Sequence, residues 1–272
     1  MKRLWIICLT TLLGLGLGGA QSAWASDTPN LDKINQRGTL KVGLSTFVPW
    51  AMRDDQGELV GFEVDVAKRL AQDSGWKVEF IPTSWDGIIP SLMAGKYDVV
   101  IGGLTITDER SKSVLFSVPY SHSGIQIAAN LDTTKGFSKQ DFNSRKIKFA
   151  ARRGALGITI LRENFPKAKI LQFDDEAQAF QEVLNGNADA VIASTPKPEF
   201  EALKYPKKLY IPLQERLYTG NEGFAVRLGE QDKKAFFDKW IDARTQDGWL
   251  EQRYNYWFKS VDWQKQVSNT NQ

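Results

Sequence analysis

Gly95-Lys96-Tyr97-Asp98-Val99-Val100-Ile101 has a counterpart in Gly186-Asn187-Ala188-Asp189-Ala190-Val191-Ile192, both of the form G-x-x-D-x-V-I. In each, a glycine ends a helix-patterned segment, an aspartate follows the turn, and a buried-looking strand begins. Chance could produce one such exit from a helix, but the elements upstream agree as well. In the first half, residues 39–44 read as a strand. Residues 62–74 set Phe62, Val64, Val66, Ala67, Leu70 and Ala71 on one stripe at helical spacing. A strand over 77–81 and a helix over 85–94 then lead to Gly95. In the second half, 147–150 and 169–173 read as strands, and 158–164 and 176–184 as helices. Strands alternating with helices over short connections imply a largely parallel sheet covered by helices, since a parallel neighbour needs a crossover. The repeat predicts two α/β lobes, and 272 residues suffice for both.

Apolar stretches at 123–130 and 222–228 flank the second half and are expected to be two interlobe crossings. Helices predicted over 231–245 and 249–257 would return to the first lobe, with Trp249, Tyr254, Tyr256, Trp257 and Trp263 packing against it. The expected division is 26–125 with 227–272 for the first lobe and 126–226 for the second. Residues 1–25 read as a signal peptide: Lys2 and Arg3, an apolar run over 4–18, then Ala23-Trp24-Ala25 before a cut at Ser26. That run is glycine-rich and shorter than the ~20 apolar residues that span a bilayer. Cys8 lies within it behind the bulky Trp5-Ile6-Ile7, so no lipid anchor is expected. Without residues 1–25 the chain has no cysteine and 33 basic residues against 32 acidic, a net of +1. A neutral, soluble, exported protein is expected, and with no basic tract a nucleic-acid partner is not. One histidine, His122, offers too little for most metal sites or histidine-dependent nucleophiles, so neither a metal nor another cofactor is expected, and His122 reads as structural.

Ligands of open α/β sheets bind outside the carboxyl ends of the strands. Loops 45–50, 83–85, 102–110, 152–157 and 193–198 are therefore expected to line one cleft between the lobes. The 102–110 loop combines Gly102 and Gly103, whose backbone is accessible, with Thr107 as a helix N-cap and Arg110 as a planar fork, which outlines a carboxylate receptor. Phe47, Trp50 and Trp85 lie in cleft loops where an aromatic can stack on a ligand. Arg152-Arg153-Gly154-Ala155-Leu156-Gly157 is either a second anion seat or a loop with a solvated arginine pair.

These residues resemble the periplasmic solute-binding proteins of polar amino-acid ABC importers, from about Leu31 to Val261. The resemblance is carried by Gly57-Glu58-Leu59-Val60-Gly61-Phe62-Glu63-Val64-Asp65, Trp85-Asp86-Gly87-Ile88-Ile89-Pro90-Ser91-Leu92, Thr105-Ile106-Thr107-Asp108-Glu109-Arg110, Phe116-Ser117-Val118-Pro119-Tyr120 and Gly248-Trp249-Leu250. It implies a two-lobed type II periplasmic binding fold that closes on an amino acid or related small carboxylate and delivers it to an ABC permease. It also implies that Arg110 clamps the ligand carboxylate, helped by Gly103, Leu104 and Thr105, between walls formed by Phe47 and Trp85. Family members commonly read Gly-Thr-Thr or Gly-Ser-Thr where this chain has Gly154-Ala155-Leu156, and an aspartate for the α-ammonium where it has Ser194. Either another carboxylate, with Glu222 and Asp175 the nearest by position, takes over that task, or the ligand lacks an ammonium.

Two other classes are compatible with the same fold. A dehydratase acting on arogenate or prephenate would need a general acid in the cleft. A receptor sensor domain would bring membrane-spanning sequence.

Overall fold

The structure, a computed structural model, describes residues 29–267. The expected signal peptide lies outside the described residues. Two sheets share one strand order. In the first lobe the order is Lys77–Pro82, Thr39–Leu44, Val99–Val100, Ala225–Arg227, Val114–Phe116. In the second it is Lys169–Phe173, Lys148–Arg152, Ala190–Ser194, Ser121–Asn130, Leu209–Tyr210. The first three strands of each are parallel, and the fourth runs antiparallel to both neighbours. Tyr218–Glu222 extends the second sheet along Ser121–Asn130, so that Ile125 faces Ser194 on one side and Tyr218 on the other.

The G-x-x-D repeat has one physical meaning in both lobes. Asp98 exchanges backbone hydrogen bonds with the start of the first strand, its N–H reaching the Lys41 carbonyl at 2.9 Å while its carboxylate accepts the Lys41 N–H at 2.8 Å. Asp189 does the same with Lys148, at 2.9 and 2.8 Å. Each aspartate thus fixes where the third strand joins the first. Arg37 also pairs with Asp98.

The antiparallel strand of each sheet adjoins a crossing between the lobes. Ser121–Asn130 belongs to the second sheet throughout, so the chain changes sheets at 117–120 and returns at 223–224, a few residues before the outward crossing expected at 123–130. The polar lead before the first strand is in fact a helix, Pro29–Arg37, which buries Leu31 and Ile34. Two anchors in nine residues give too little periodicity to be read. The buried strand after Gly95 is short, Val99–Val100, and the Tyr97 hydroxyl before it donates to the Ile88 carbonyl.

The C-terminal aromatics pack on the first lobe as expected. Trp257 is buried there and donates its indole N–H to Asp65 at 2.8 Å, and Trp240 donates to Asp73 at 2.9 Å. The second lobe covers its sheet on both faces, with Phe142, Phe149 and Phe165 on one and Phe180, Val183 and Leu209 on the other.

The paired aspartates give a graded expectation. Removing the buried acceptor Asp98 leaves the Lys41 N–H without a partner and takes away the ion pair of Arg37, at a cost of ~1–3 kcal/mol. Asp189→Ala should cost less, since water can reach the Lys148 N–H. Urea unfolding of the two variants checks the order.

Candidate functional site

Arg110 stands on the floor of the cleft between the lobes. Thr107 caps the short helix Asp108–Ser111 by accepting the Arg110 N–H at 3.3 Å, which fixes where the arginine leaves the backbone. Its Nη1 donates to the Thr105 carbonyl at 2.9 Å. The loop itself is tied to the return crossing: the Ile106 N–H reaches the Asn221 carbonyl at 2.9 Å and the Gly223 N–H the Leu104 carbonyl at 3.2 Å. Burial, with the nearby Arg152 cation adding to it, pushes the Arg110 guanidinium down to about 10, so it stays charged at neutral pH.

Two buried carboxyls lie beneath. Glu222 accepts the Ser123 hydroxyl at 2.7 Å, the Ser121 hydroxyl, and the Trp50 indole N–H at 3.5 Å. Glu63 accepts the Tyr120 hydroxyl at 2.7–2.8 Å, and Tyr120 in turn accepts the Gly103 N–H at 3.1 Å. Loss of water raises both carboxyls above the usual range, Glu63 further through its neighbour Glu222. Gly103 has φ +66°, and a Cβ there would meet the Trp50 indole at 2.6 Å, so the floor closes only over glycine. Its N–H, expected to face the ligand, is already bonded to Tyr120 in this closed form.

The walls come from both lobes. Phe47 stacks on Trp50 with centroids 4.6 Å apart and meets Trp85 edge-on at 5.9 Å. Trp50 is fully buried behind Phe47 rather than on the cleft surface. From the second lobe, the Arg152 guanidinium reaches over Phe47 at 4.5 Å and Trp85 at 4.6 Å. The lobes enclose a cavity of about 20 Å³, little more than one water. Phe47, Trp85, Gly103, Thr105, Arg110, Ala155, Leu156 and Ser194 line it, eight of the ten residues expected.

The other two do not. Leu104 turns into the first lobe's core and is 1% exposed. Gly154 (φ +71°) is at the lip, where a Cβ would come within 2.9 Å of the Asp86 backbone in the opposite lobe, so it serves the contact between the shells. Asp175 caps the helix Glu176–Leu184 by accepting the Ala177 N–H at 2.6 Å, and the next residue, Glu176, reaches the cavity instead. Glu176 is buried and its Oε2 has no hydrogen-bond partner; burial raises its carboxyl while Arg152 opposes the shift. The arginine pair splits: Arg152 is buried in the cleft, whereas Arg153 is exposed and pairs with Asp174 at 2.8 Å. The signal for Arg152 was its place at the carboxyl end of the second lobe's first strand; Glu176 gave none beyond its neighbourhood to Asp175. His122 stacks on Tyr254 at 4.6 Å, away from the cavity. Among the described residues no cluster of His, Cys, Asp or Glu could hold a metal ion, and no helix is long and apolar enough to cross a membrane.

The model of the bacterial extracellular solute-binding proteins, family 3, matches residues 40–260, which include every residue of this cleft. The chain belongs to that family. It is 33% identical over 240 residues to the L-cystine-binding protein TcyJ of Escherichia coli (strain K12), covering 86% of this chain and 87% of that protein. It is 25% identical to the cyclohexadienyl dehydratase of Pseudomonas aeruginosa, over 93% of this chain and 92% of that one. A crystal structure of a putative ABC-transporter binding component from Wolinella succinogenes, complexed with lysine, superposes with a TM-score of 0.78 at 34% identity, covering 84% of this chain and 99% of that chain. The fold is accordingly the type II periplasmic binding fold.

The floor carries a pH signature of defined sign. A carboxyl raised above its ordinary value of 4.5 stays protonated in the folded protein where the unfolded chain has ionised. The folded state then holds the extra proton, and stability falls as pH rises from the ordinary value toward the raised one, by at most ~1.4 kcal/mol per pH unit for each such group. Glu63→Gln keeps an acceptor for Tyr120 and removes one of these protons. The variant should show a shallower loss of Tm between about pH 5 and 8 than the unmodified protein, and a higher Tm at the upper end. Thermal denaturation across that range checks it.

Proposed function

We propose that this protein is the extracytoplasmic binding component of an ABC importer, closing its lobes on an amino acid or related small carboxylate and handing it to a membrane permease. One observation carries the reading: Arg110 is charged, buried on the cleft floor and mounted on a loop bonded to the return crossing between the lobes. A carboxylate reaching Arg110 meets a fork whose support is the hinge itself, so ligand contact and lobe position are coupled. Closure then brings Arg152 and the start of helix Leu156–Asn164 over the ligand from the second lobe. The relatives named for L-cystine and complexed with lysine support an amino acid as the class. The export sequence over 1–25 supports a periplasmic location, and the protein acts as a monomer that presents its closed face to the permease.

A dehydratase is the second reading, supported by the 25% identical cyclohexadienyl dehydratase and by Glu176. The Ser194 hydroxyl is far too weak an acid for this task, but Glu176 is a buried carboxyl held above its ordinary range on the cavity wall. Incubation with prephenate and with arogenate, followed by absorbance of the aromatic product, should give no turnover. Turnover that disappears in Glu176→Gln would make the protein an enzyme.

The binding reading predicts that Arg110→Ala weakens ligand affinity about 30-fold to several thousand-fold, the range for truncating one side of a buried charge pair. The circular dichroism spectrum should be unchanged. Calorimetric titration of whichever carboxylate stabilises the unmodified protein is the measurement. Gly154→Val should also weaken binding, by holding the lip away from Asp86, and small-angle scattering should then show a less compact liganded form.

A further inference from the structure

Phe47 and Trp85 present ring faces to the cleft, and a ring face attracts a cation. Here the cation is the chain's own. The Arg152 guanidinium covers both rings, at 4.5 and 4.6 Å, and occupies the seat that a cationic ligand side chain would need. Its Nε and Nη1 are buried without a hydrogen-bond partner. Glu176 Oε2, on the same cavity wall, is also buried and unpartnered. The two residues attract each other without bonding, so unpartnered donors and an unpartnered acceptor of opposite charge belong to side chains that line one cavity.

The charges select among ligands. Arg110 and Arg152 contribute two positive charges to the wall and Glu176 one negative, for a net of +1. An amino acid with a cationic side chain would raise the total to +2 and find the aromatic seat taken. One with a second carboxylate carries −1 and cancels it. The helix Leu156–Asn164, whose first turn lines the cavity, adds positive potential on the same side. Ala155 and Leu156 put no hydroxyl there, leaving the guanidinium edge as the principal side-chain donor of the second lobe.

We infer that Arg152 is the specificity-determining residue of the cleft: it fills the aromatic seat, excludes cationic side chains and receives the second carboxylate of an acidic amino acid whose ammonium group meets Glu176. This rests on the reading of Arg110 as the α-carboxylate clamp.

Calorimetric titration with L-glutamate, L-aspartate, L-glutamine, L-arginine, L-lysine and glutarate tests it. The unmodified protein should bind L-glutamate or L-aspartate most tightly. L-arginine and L-lysine should be weaker by at least about 30-fold, the scale set by one buried charge contact. Arg152→Ala should lose affinity for the acidic amino acid by a similar factor and gain affinity for L-arginine or L-lysine, with an unchanged circular dichroism spectrum. Should Arg152→Ala unfold, Arg152→Gln, which keeps a planar donor without charge, provides the same comparison. Glu176→Gln should weaken L-glutamate while leaving glutarate, which has no ammonium group, unchanged or improved. Preference of the unmodified protein for a cationic amino acid, or the same acidic-to-cationic ratio in the Arg152 variants, overturns the assignment. In that event Arg110→Ala separates the two levels. Loss of the cationic ligand in Arg110→Ala leaves the binding-protein reading standing while the ligand class fails. Retained binding there removes Arg110 as the clamp, and no binding of any of the six compounds overturns the assignment of an acidic amino acid.

Discussion

A guanidinium enclosed between two protein surfaces needs negative charge nearby, because removing an ion from water costs far more than burying an apolar group. Arg110 has no ion-pair partner among the described residues. It has the Thr105 carbonyl at 2.9 Å and the more distant attraction of Glu222. That partial compensation makes the open floor tolerable and the closed floor receptive to an anion. The rest of the cleft follows from it: apolar walls that exclude water, a backbone loop too tight for any residue but glycine at 103, and a second lobe that completes the enclosure.

The residues beneath Arg110 belong to the two crossings. Tyr120 is on the outward crossing, Glu222 on the return, and their side chains reach Glu63, Gly103 and Trp50 in the first lobe. Ser121 and Ser123 from the outward strand both donate to Glu222, so the two crossings are fastened to one carboxyl directly beneath the loop that bears Arg110. A displacement of the return strand cannot leave that loop unmoved, because the Ile106 N–H bonds to the Asn221 carbonyl and the Gly223 N–H to the Leu104 carbonyl. The loop that bears Arg110 and the two crossings are therefore one hydrogen-bonded unit.

What the sequence made legible is what local chemistry dictates. The G-x-x-D repeat was readable because a glycine at positive φ and an aspartate bonded to a neighbouring strand are needed wherever a helix hands over to this strand. Residues 62–73 and 176–184 were readable because an apolar stripe at helical spacing has few other uses. Arg110 was readable from its loop. What escaped depended on direction or on distant partners. Leu104 and Thr105 are adjacent, yet one faces the core and the other the cavity, as alternation along an extended segment requires. Asp175 and Glu176 differ by a single step at a helix start, where the first side chain turns back to cap and the second projects outward. The Gly103 amide was assigned to the ligand because its partner, Tyr120, is remote in sequence.

The antiparallel strand in each sheet also sets an order of assembly. All parallel strands of the first lobe lie before residue 117, but Ala225–Arg227 must slide between Val99–Val100 and Val114–Phe116 to complete that sheet. A chain delivered amino end first can finish the second lobe while the first still has a slot in its middle. Its earliest strands wait for nearly its latest, and the half that bears Arg110 is the last to become solid.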